Sequence, residues 1–445
     1  MRARTSLILT LVVVAAGGTF GLVACTESAK VPLEAQMGPN PSLPPPVSGL
    51  LPTVNIAPAV GWREGAMPTP APGLAVAAFA TGLDHPRNLL VLPNGDVLVA
   101  ESNAPPRPDA NPGLRGMAMR AVMARAGAAT ESANRITLLR DADGDGVAET
   151  RVPFLENLNS PYGMALIGDQ LFIADTDAIR RYPYQPGMSR MTDPGTRITE
   201  LPAGRRNHHW TKNLQASADG RTLFVAIGSN SNVAENGMAA EEGRAQIWAV
   251  DPATGAHRPY ATGLRNPVGM AIAPGPTPTL WTAVNERDEI GSDLVPDYMT
   301  SVREGGFYGW PYSYFGQTVD TRVQPQDAAL VSRAISPDYA LGAHTASLGL
   351  AITEASGLPA PFNSGAFVGQ HGSWNRRPAS GYRVIFIPFA NGRPQGAPVD
   401  VLTGFLDGAG NARGRPVGVT PDGRGGLLVA DDVGNVVWRV SAARP

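Results

Sequence analysis

One short unit recurs along this chain: a polar loop, an alternating apolar strand, a Pro-Asp/Asn-Gly-like turn and a second strand. Clear copies occupy residues 88–101, 163–175, 213–227, 269–284 and 417–431, and a weaker one spans 348–369. Asp-Gly and Asn-Gly turns supply the positive φ values of tight hairpins. Each unit is too small to stand alone as a sheet with two apolar faces, but copies stacked around an axis bury those faces against one another. Six copies about 50 to 80 residues apart predict an all-β, six-bladed β-propeller over residues 73–445, with five or seven blades as the alternative counts. The insertion from Pro105 to Asn134, rich in Ala, Met and Arg, is expected to be a short helix or a lid.

The residues before the repeats read differently. Arg2 and Arg4 precede an apolar run that ends in Leu22-Val23-Ala24-Cys25, the pattern of a signal peptide (1–24) with a lipobox. Cleavage before Cys25 would leave the chain's single cysteine as a lipid attachment point, holding the protein at a membrane surface through acyl chains. Thr26 follows, where an aspartate would resemble an inner-membrane retention signal, so the expected location is the outer membrane, facing the periplasm. Residues 25–72 are Pro-rich and expected to form an extended linker that buries little. With a formal net charge of −2 the chain lacks the basic excess of a nucleic-acid binder.

In a propeller the loops leading into the innermost strands share one face of the disc. Here they carry His85-Pro86-Arg87-Asn88, Arg205-Arg206-Asn207-His208-His209-Trp210, Arg265-Asn266-Pro267, His344-Thr345 and Arg413-Gly414-Arg415-Pro416. Arginines converging without matching acids imply an anionic ligand, because guanidinium forks bind carboxylates in pairs. On a strand, His208 and His209 point to opposite faces, so at most one enters the channel.

The run Gly263-Leu-Arg-Asn-Pro-Val-Gly-Met270, then Asn285-Glu-Arg-Asp-Glu289 and Gly306-Phe-Tyr-Gly-Trp-Pro311, resembles the signature of the sorbosone dehydrogenase group within the pyrroloquinoline quinone (PQQ)-dependent glucose/sorbosone dehydrogenases. The resemblance extends from about residue 73 to the C-terminus. It implies PQQ and Ca²⁺ as cofactors, a sugar or aldehyde substrate, and an electron acceptor that it does not identify. It further implies His209 as the general base, and Arg265, Asn266, His344, His371, Arg376, Arg413 and Arg415 as cofactor contacts. A calcium loop is implied at Glu286, Arg287 and Asp288, partly through main-chain carbonyls. The sequence departs from the pattern at His208, where soluble glucose dehydrogenases place an aspartate, and no lysine matches their lysine cofactor contact.

A second candidate calcium loop is Asp141, Asp143 and Asp145, with acids at alternate positions and glycine at the sixth, though Val152 stands where a twelfth-position glutamate would. The alternative functions are a non-catalytic propeller that binds protein or glycan, and a metal-dependent lactonase-type hydrolase. The latter needs Glu, Asn and Asp ligands on channel loops that here are mainly cationic.

Overall fold

The computed structural model describes residues 27–47, 53–109 and 113–443. The signal peptide and Cys25 lie outside the described residues. Among those described, no helix is long and apolar enough to cross a membrane.

Six four-stranded antiparallel blades surround one axis. Their innermost strands are Pro86–Val91, Gly163–Ile167, Lys212–Ala216, Pro267–Ala273, Ser347–Thr353 and Pro416–Pro421, which open blades 1 to 6 in order. The six-blade expectation therefore holds, and each sequence repeat supplies the first two strands of a blade. The ring closes where Leu74–Thr81 pairs with Val436–Ala442, so the N-terminal strand completes the C-terminal blade. Six apolar layers lie between neighbouring blades. Phe367 and Phe386 of blade 5, for example, face Val429 and Trp438 of blade 6. The second strand of each blade buries both faces, which explains the near-continuous apolar runs in the repeats.

The inner strands converge tightly. A Cβ on Gly163 would sit 2.5 Å from the Leu214 nitrogen, and one on Gly349 would collide with the Val417 carbonyl. Glycine at these places lets adjacent blades approach. Tyr162, Val268, Leu348 and Val417 meet on the axis as an apolar plug. On the far side of the disc a cavity of about 330 Å³ is lined by all six inner strands.

The segment expected to bury little is instead a strap laid across blades 4 to 6. Gln36 is fully buried, Met37–Gly38 pairs with blade 4 at Leu341 and Ala340, and Thr69–Pro70 pairs with blade 5. Lys30 and Val31 amides and the Gln36 side chain all donate to Asp293. Trp62 donates to Asp431 and packs edge-on against Phe405 and Trp438. A Pro-rich chain adopts such a path with only two short strands, Met37–Gly38 and Thr69–Pro70, because its few free amides find partners on the propeller. The 105–134 insertion contains a helix, Gly113–Arg125.

Candidate cofactor site on the channel face

Loops before the inner strands and loops between second and third strands emerge on the same face. Most of the polar residues singled out in the sequence meet there.

His209 stands just before blade 3's inner strand. Its Nδ1 lies 2.8 Å from the Ser229 carbonyl oxygen and 3.1 Å from Ser229 Oγ. A carbonyl can only accept, so Nδ1 carries the proton and Nε2 is the bare nitrogen. Nε2 has no partner among the described residues. Burial, reinforced by His208 and Arg265, holds the imidazole pKa well below 6.5. The ring is therefore neutral at pH 7, with an open acceptor. His208 lies edge-on to it, centroids 4.6 Å apart, and burial with nearby Arg265 and Arg107 lowers its own pKa to about 4. The fully buried Lys212 holds the loop from beneath, donating to the Trp210 carbonyl at 3.1 Å.

Arg265, 1 % exposed, joins blades 3 and 4. It donates to the main-chain oxygens of Asn232, Asn285 and Glu286 and to Asn232 Oδ1, and its guanidinium lies 3.3 Å from Asp288 Oδ2. Asp288 Oδ1 also accepts from Asn375 at 2.8 Å and lies 3.3 Å from His344 Nδ1. Burial would raise this carboxyl, but His344, Arg265 and Asn375 hold it below the usual range. Asn266 Oδ1 is buried with no partner among the described residues.

Across the channel, Asp432 Oδ2 accepts from Arg87 at 2.5 Å and from His371 Nε2 at 2.8 Å, and lies 3.4 Å from His85 Nε2. Burial alone would raise Asp432, yet His371, His85 and Arg87 hold it well below the carboxylate range. Arg415 runs over the Tyr382 ring at 4.8 Å and donates to the carbonyls of His371 and Ala57, the latter on the strap. Arg87 stacks over Trp210 at 5.8 Å and so links this group to the His209 loop. Arg87 Nε and Arg415 Nε are buried donors without partners among the described residues.

His209, Arg265, Asn266, His344, His371 and Arg415 thus fall on one face. Arg376 and Arg413 lie on loops of the same face but make other contacts: Arg376 donates to the Pro378 carbonyl, keeps a buried Nε without a partner among the described residues and has Asp293, Glu27 and Glu34 as its nearest acids, while Arg413 lies by Asp407. The expectation of arginines without matching acids is corrected as well, since Asp288 and Asp432 anchor the two groups. Asp432, Asn232 and Asn375 escaped the sequence reading. Asp432 follows Asp431 at the end of a repeat, where an acid reads as a strand cap, which is the role Asp431 fills by accepting from Arg415 N and Gly434 N.

The calcium loop expected at Glu286, Arg287 and Asp288 does not suit a cation as it stands. The Arg265 guanidinium occupies the Asn285 and Glu286 carbonyls, and Asn232 and Arg322 donate to the Asp288 carbonyl. Arg287 is fully buried against Glu286, Asp320 and the carbonyls of Pro311 and Ser313, a packing role. Asp141, Asp143, Asp145 and Glu149 do cluster, with carboxylate oxygens within 4.8 Å of one another, but in a hairpin on the opposite face of the disc. There they accept from their own loop's amides and from Arg424.

The fold and site define a six-bladed propeller with a buried, cationic and histidine-bearing channel face. A model of the TrAA12-like family matches residues 129–303 and 312–443, and the chain belongs to that family, grouping it with the PQQ-dependent sugar dehydrogenase superfamily. Among curated relatives, a PQQ-dependent pyranose dehydrogenase of Coprinopsis cinerea is 25 % identical over 360 residues, 72 % of this chain and 44 % of that protein. An uncharacterized protein of Borreliella burgdorferi is 28 % identical over 242 residues, 54 % of this chain and 62 % of that one. The chain therefore spans about half the length of the curated relatives it matches. In fold it is similar to the holo PQQ domain of the Coprinopsis pyranose dehydrogenase, with a TM-score of 0.67, 21 % identity and coverage of 87 % of this chain and 100 % of that one. The calcium structure of a Trichoderma reesei family AA12 carbohydrate-active enzyme gives a TM-score of 0.67 at 20 % identity, covering 88 % and 99 %.

Proposed function

We propose that this protein is a PQQ-dependent dehydrogenase that oxidises a sugar at its anomeric carbon, or a related aldehyde. The observation that carries the reading is His209, with Nδ1–H tied to a main-chain carbonyl and Nε2 open and unprotonated on a face lined by buried arginines. The residues present fit an acidic quinone. Arg87 Nε and Arg415 Nε are buried donors in need of acceptors, which PQQ carboxylates would provide, and Arg265 adds positive charge at the opposite rim. When bound, PQQ accepts the hydride and with it two electrons.

The chain's own residues account for the rest of the chemistry. His209 Nε2 takes the proton from the sugar C1 hydroxyl as hydride leaves C1, so the anomeric carbon ends as a lactone carbonyl. The Ser229 carbonyl fixes the tautomer and steadies the imidazolium that forms, a role given elsewhere to a carboxylate. The apolar plug of Tyr162, Val268, Leu348 and Val417 closes the channel beneath the site and keeps water from entering from the far side. No step is assigned to calcium.

The same reading includes export and lipid attachment at Cys25, with the periplasmic side of the outer membrane as the location. Support comes from the lipobox and from the absence of any other cysteine in the sequence.

The test is reconstitution of purified apoprotein with PQQ, with and without Ca²⁺, followed by a panel of aldoses. Sugar-induced bleaching of the quinone spectrum with dye reduction is expected. A folded protein that takes up no quinone, or whose bound quinone no sugar bleaches, would refute the reading.

A further inference from the structure

The first described residues of the strap lie on the channel face. Glu27 accepts from the Ser292 amide at 2.7 Å through its side chain and from Ser292 Oγ at 3.2 Å through its main chain, and the Ala29 amide donates to the Arg377 carbonyl at 2.7 Å. Ser292 belongs to the blade 4 loop that also carries Asp288, on the channel face. Cys25 stands two residues before Glu27, a span of about 7 Å at most. Acyl chains on that cysteine would enter the bilayer beside the mouth of the channel.

A second observation concerns which apolar side chains remain uncovered. Of the seven large hydrophobic residues exposed among those described, five lie on channel-face segments. Val47 follows the contact with the Ile290 carbonyl, and Val60 sits on the strap beside Ala412. Met117 is on the inserted helix, Met238 is in the blade 3 loop, and Val319 is in the hairpin packed on Arg287. They are 39, 57, 58, 49 and 44 % exposed. The inserted helix, Gly113–Arg125, has three arginines and no acid in its sequence, which suits an anionic leaflet. Scattered exposed apolar residues need no explanation, but a set concentrated on the face from which the anchor emerges matches an interfacial surface.

The geometry points to the channel face as the surface this protein lays against the lipid bilayer. The inference rests on the reading of Cys25 as lipidated. It sets the site mouth toward the membrane, so substrate enters and electrons leave between disc and headgroups.

The experiment uses the exported, lipidated full chain in phosphatidylethanolamine–phosphatidylglycerol vesicles containing a headgroup-nitroxide lipid. Because the acylated cysteine has no free thiol, Val60→Cys, Met117→Cys, Met238→Cys and Val147→Cys each give one site for a fluorophore. Val147 is 45 % exposed, in the hairpin on the opposite face. At least threefold stronger quenching at 60, 117 and 238 than at 147 is expected. Equal quenching at all four, or stronger quenching at 147, in protein that floats with vesicles and carries an acylated N-terminal peptide by mass spectrometry, overturns the inference while leaving the anchor intact. A non-acylated peptide and no flotation, with the Cys25→Ala variant behaving identically, overturns the lipid reading and this inference with it.

Discussion

His209 Nδ1 faces the carbonyl oxygen of Ser229 at 2.8 Å, and this contact decides which ring nitrogen is a base. A carboxylate partner would pull the imidazole pKa up, whereas a carbonyl orients the ring while leaving burial free to depress it. His209→Ala is expected to lower kcat by about 10² to 10⁴-fold, the range of general-base contributions. Quinone affinity should change by less than threefold. Titration of PQQ absorbance and dye-coupled rates check both, and a near-normal kcat would remove His209 from the role.

The pH profile follows from the same contact. Only neutral His209 can accept a proton, and its pKa lies well below 6.5, so the acid limb of kcat/KM should fall below pH 6.5. His208→Asp replaces a neighbouring imidazole with a negative charge, which favours the imidazolium. The acid limb should then move to higher pH. A limb that stays put would show that position 208 does not act on the base.

Arg415 and Arg413 lie two residues apart on one loop yet meet different partners, Tyr382 and Asp407. Arg415→Met removes a buried charged donor, and PQQ affinity should weaken about 10- to 100-fold, as for loss of one charge-assisted hydrogen bond. Arg413→Met should leave affinity unchanged. Fluorescence quenching by added quinone distinguishes the two, and equal effects would dissolve the assignment of Arg415.

His85 makes a pH-dependent contribution to stability. Burial lowers its pKa from 6.5 to about 4 against the pull of Asp432. Between those values the unfolded chain takes up a proton that the folded chain refuses. Stability from this group is therefore full above pH 6.5 and is lost as pH falls toward 4, by up to about 3 kcal/mol. His85→Asn, whose side chain tolerates the positive φ of 56° at this position, should flatten that part of the Tm-against-pH curve. An unchanged slope would assign the acid sensitivity to other groups.

The strap makes a prediction that a free linker would not. Trp62→Ala removes two aromatic contacts and a hydrogen bond to the buried Asp431, and should cost roughly 2–3 kcal/mol. Denaturant unfolding measures it. A change below about 0.5 kcal/mol would return the segment to the status of a tether.

Blade number and the polar channel face were legible because both follow from local patterns. Alternating apolar residues and Asp-Gly turns set each hairpin, and the loop before each first strand must reach the same face as its counterparts. That placed His209, Arg265, Asn266, His344 and Arg415 on one face before any coordinates, while His371 came from the family resemblance. Arg413 shares its loop with Arg415 yet lies by Asp407, because position on a loop does not say which way a side chain turns.

The sequence by itself determined a ring of hairpins and a cationic face, since hydrophobic period and turn chemistry are properties of neighbouring residues. Tertiary structure alone decided the tautomer of His209, the pairing of Asp432 with Arg87 across 345 positions, the Arg265 guanidinium on the carbonyls expected for calcium, and the docking of the strap on Asp293. These depend on main-chain carbonyls and on buried charges brought together from distant blades. A carbonyl has no letter in the sequence, and a buried charge finds its partner only once the ring has closed.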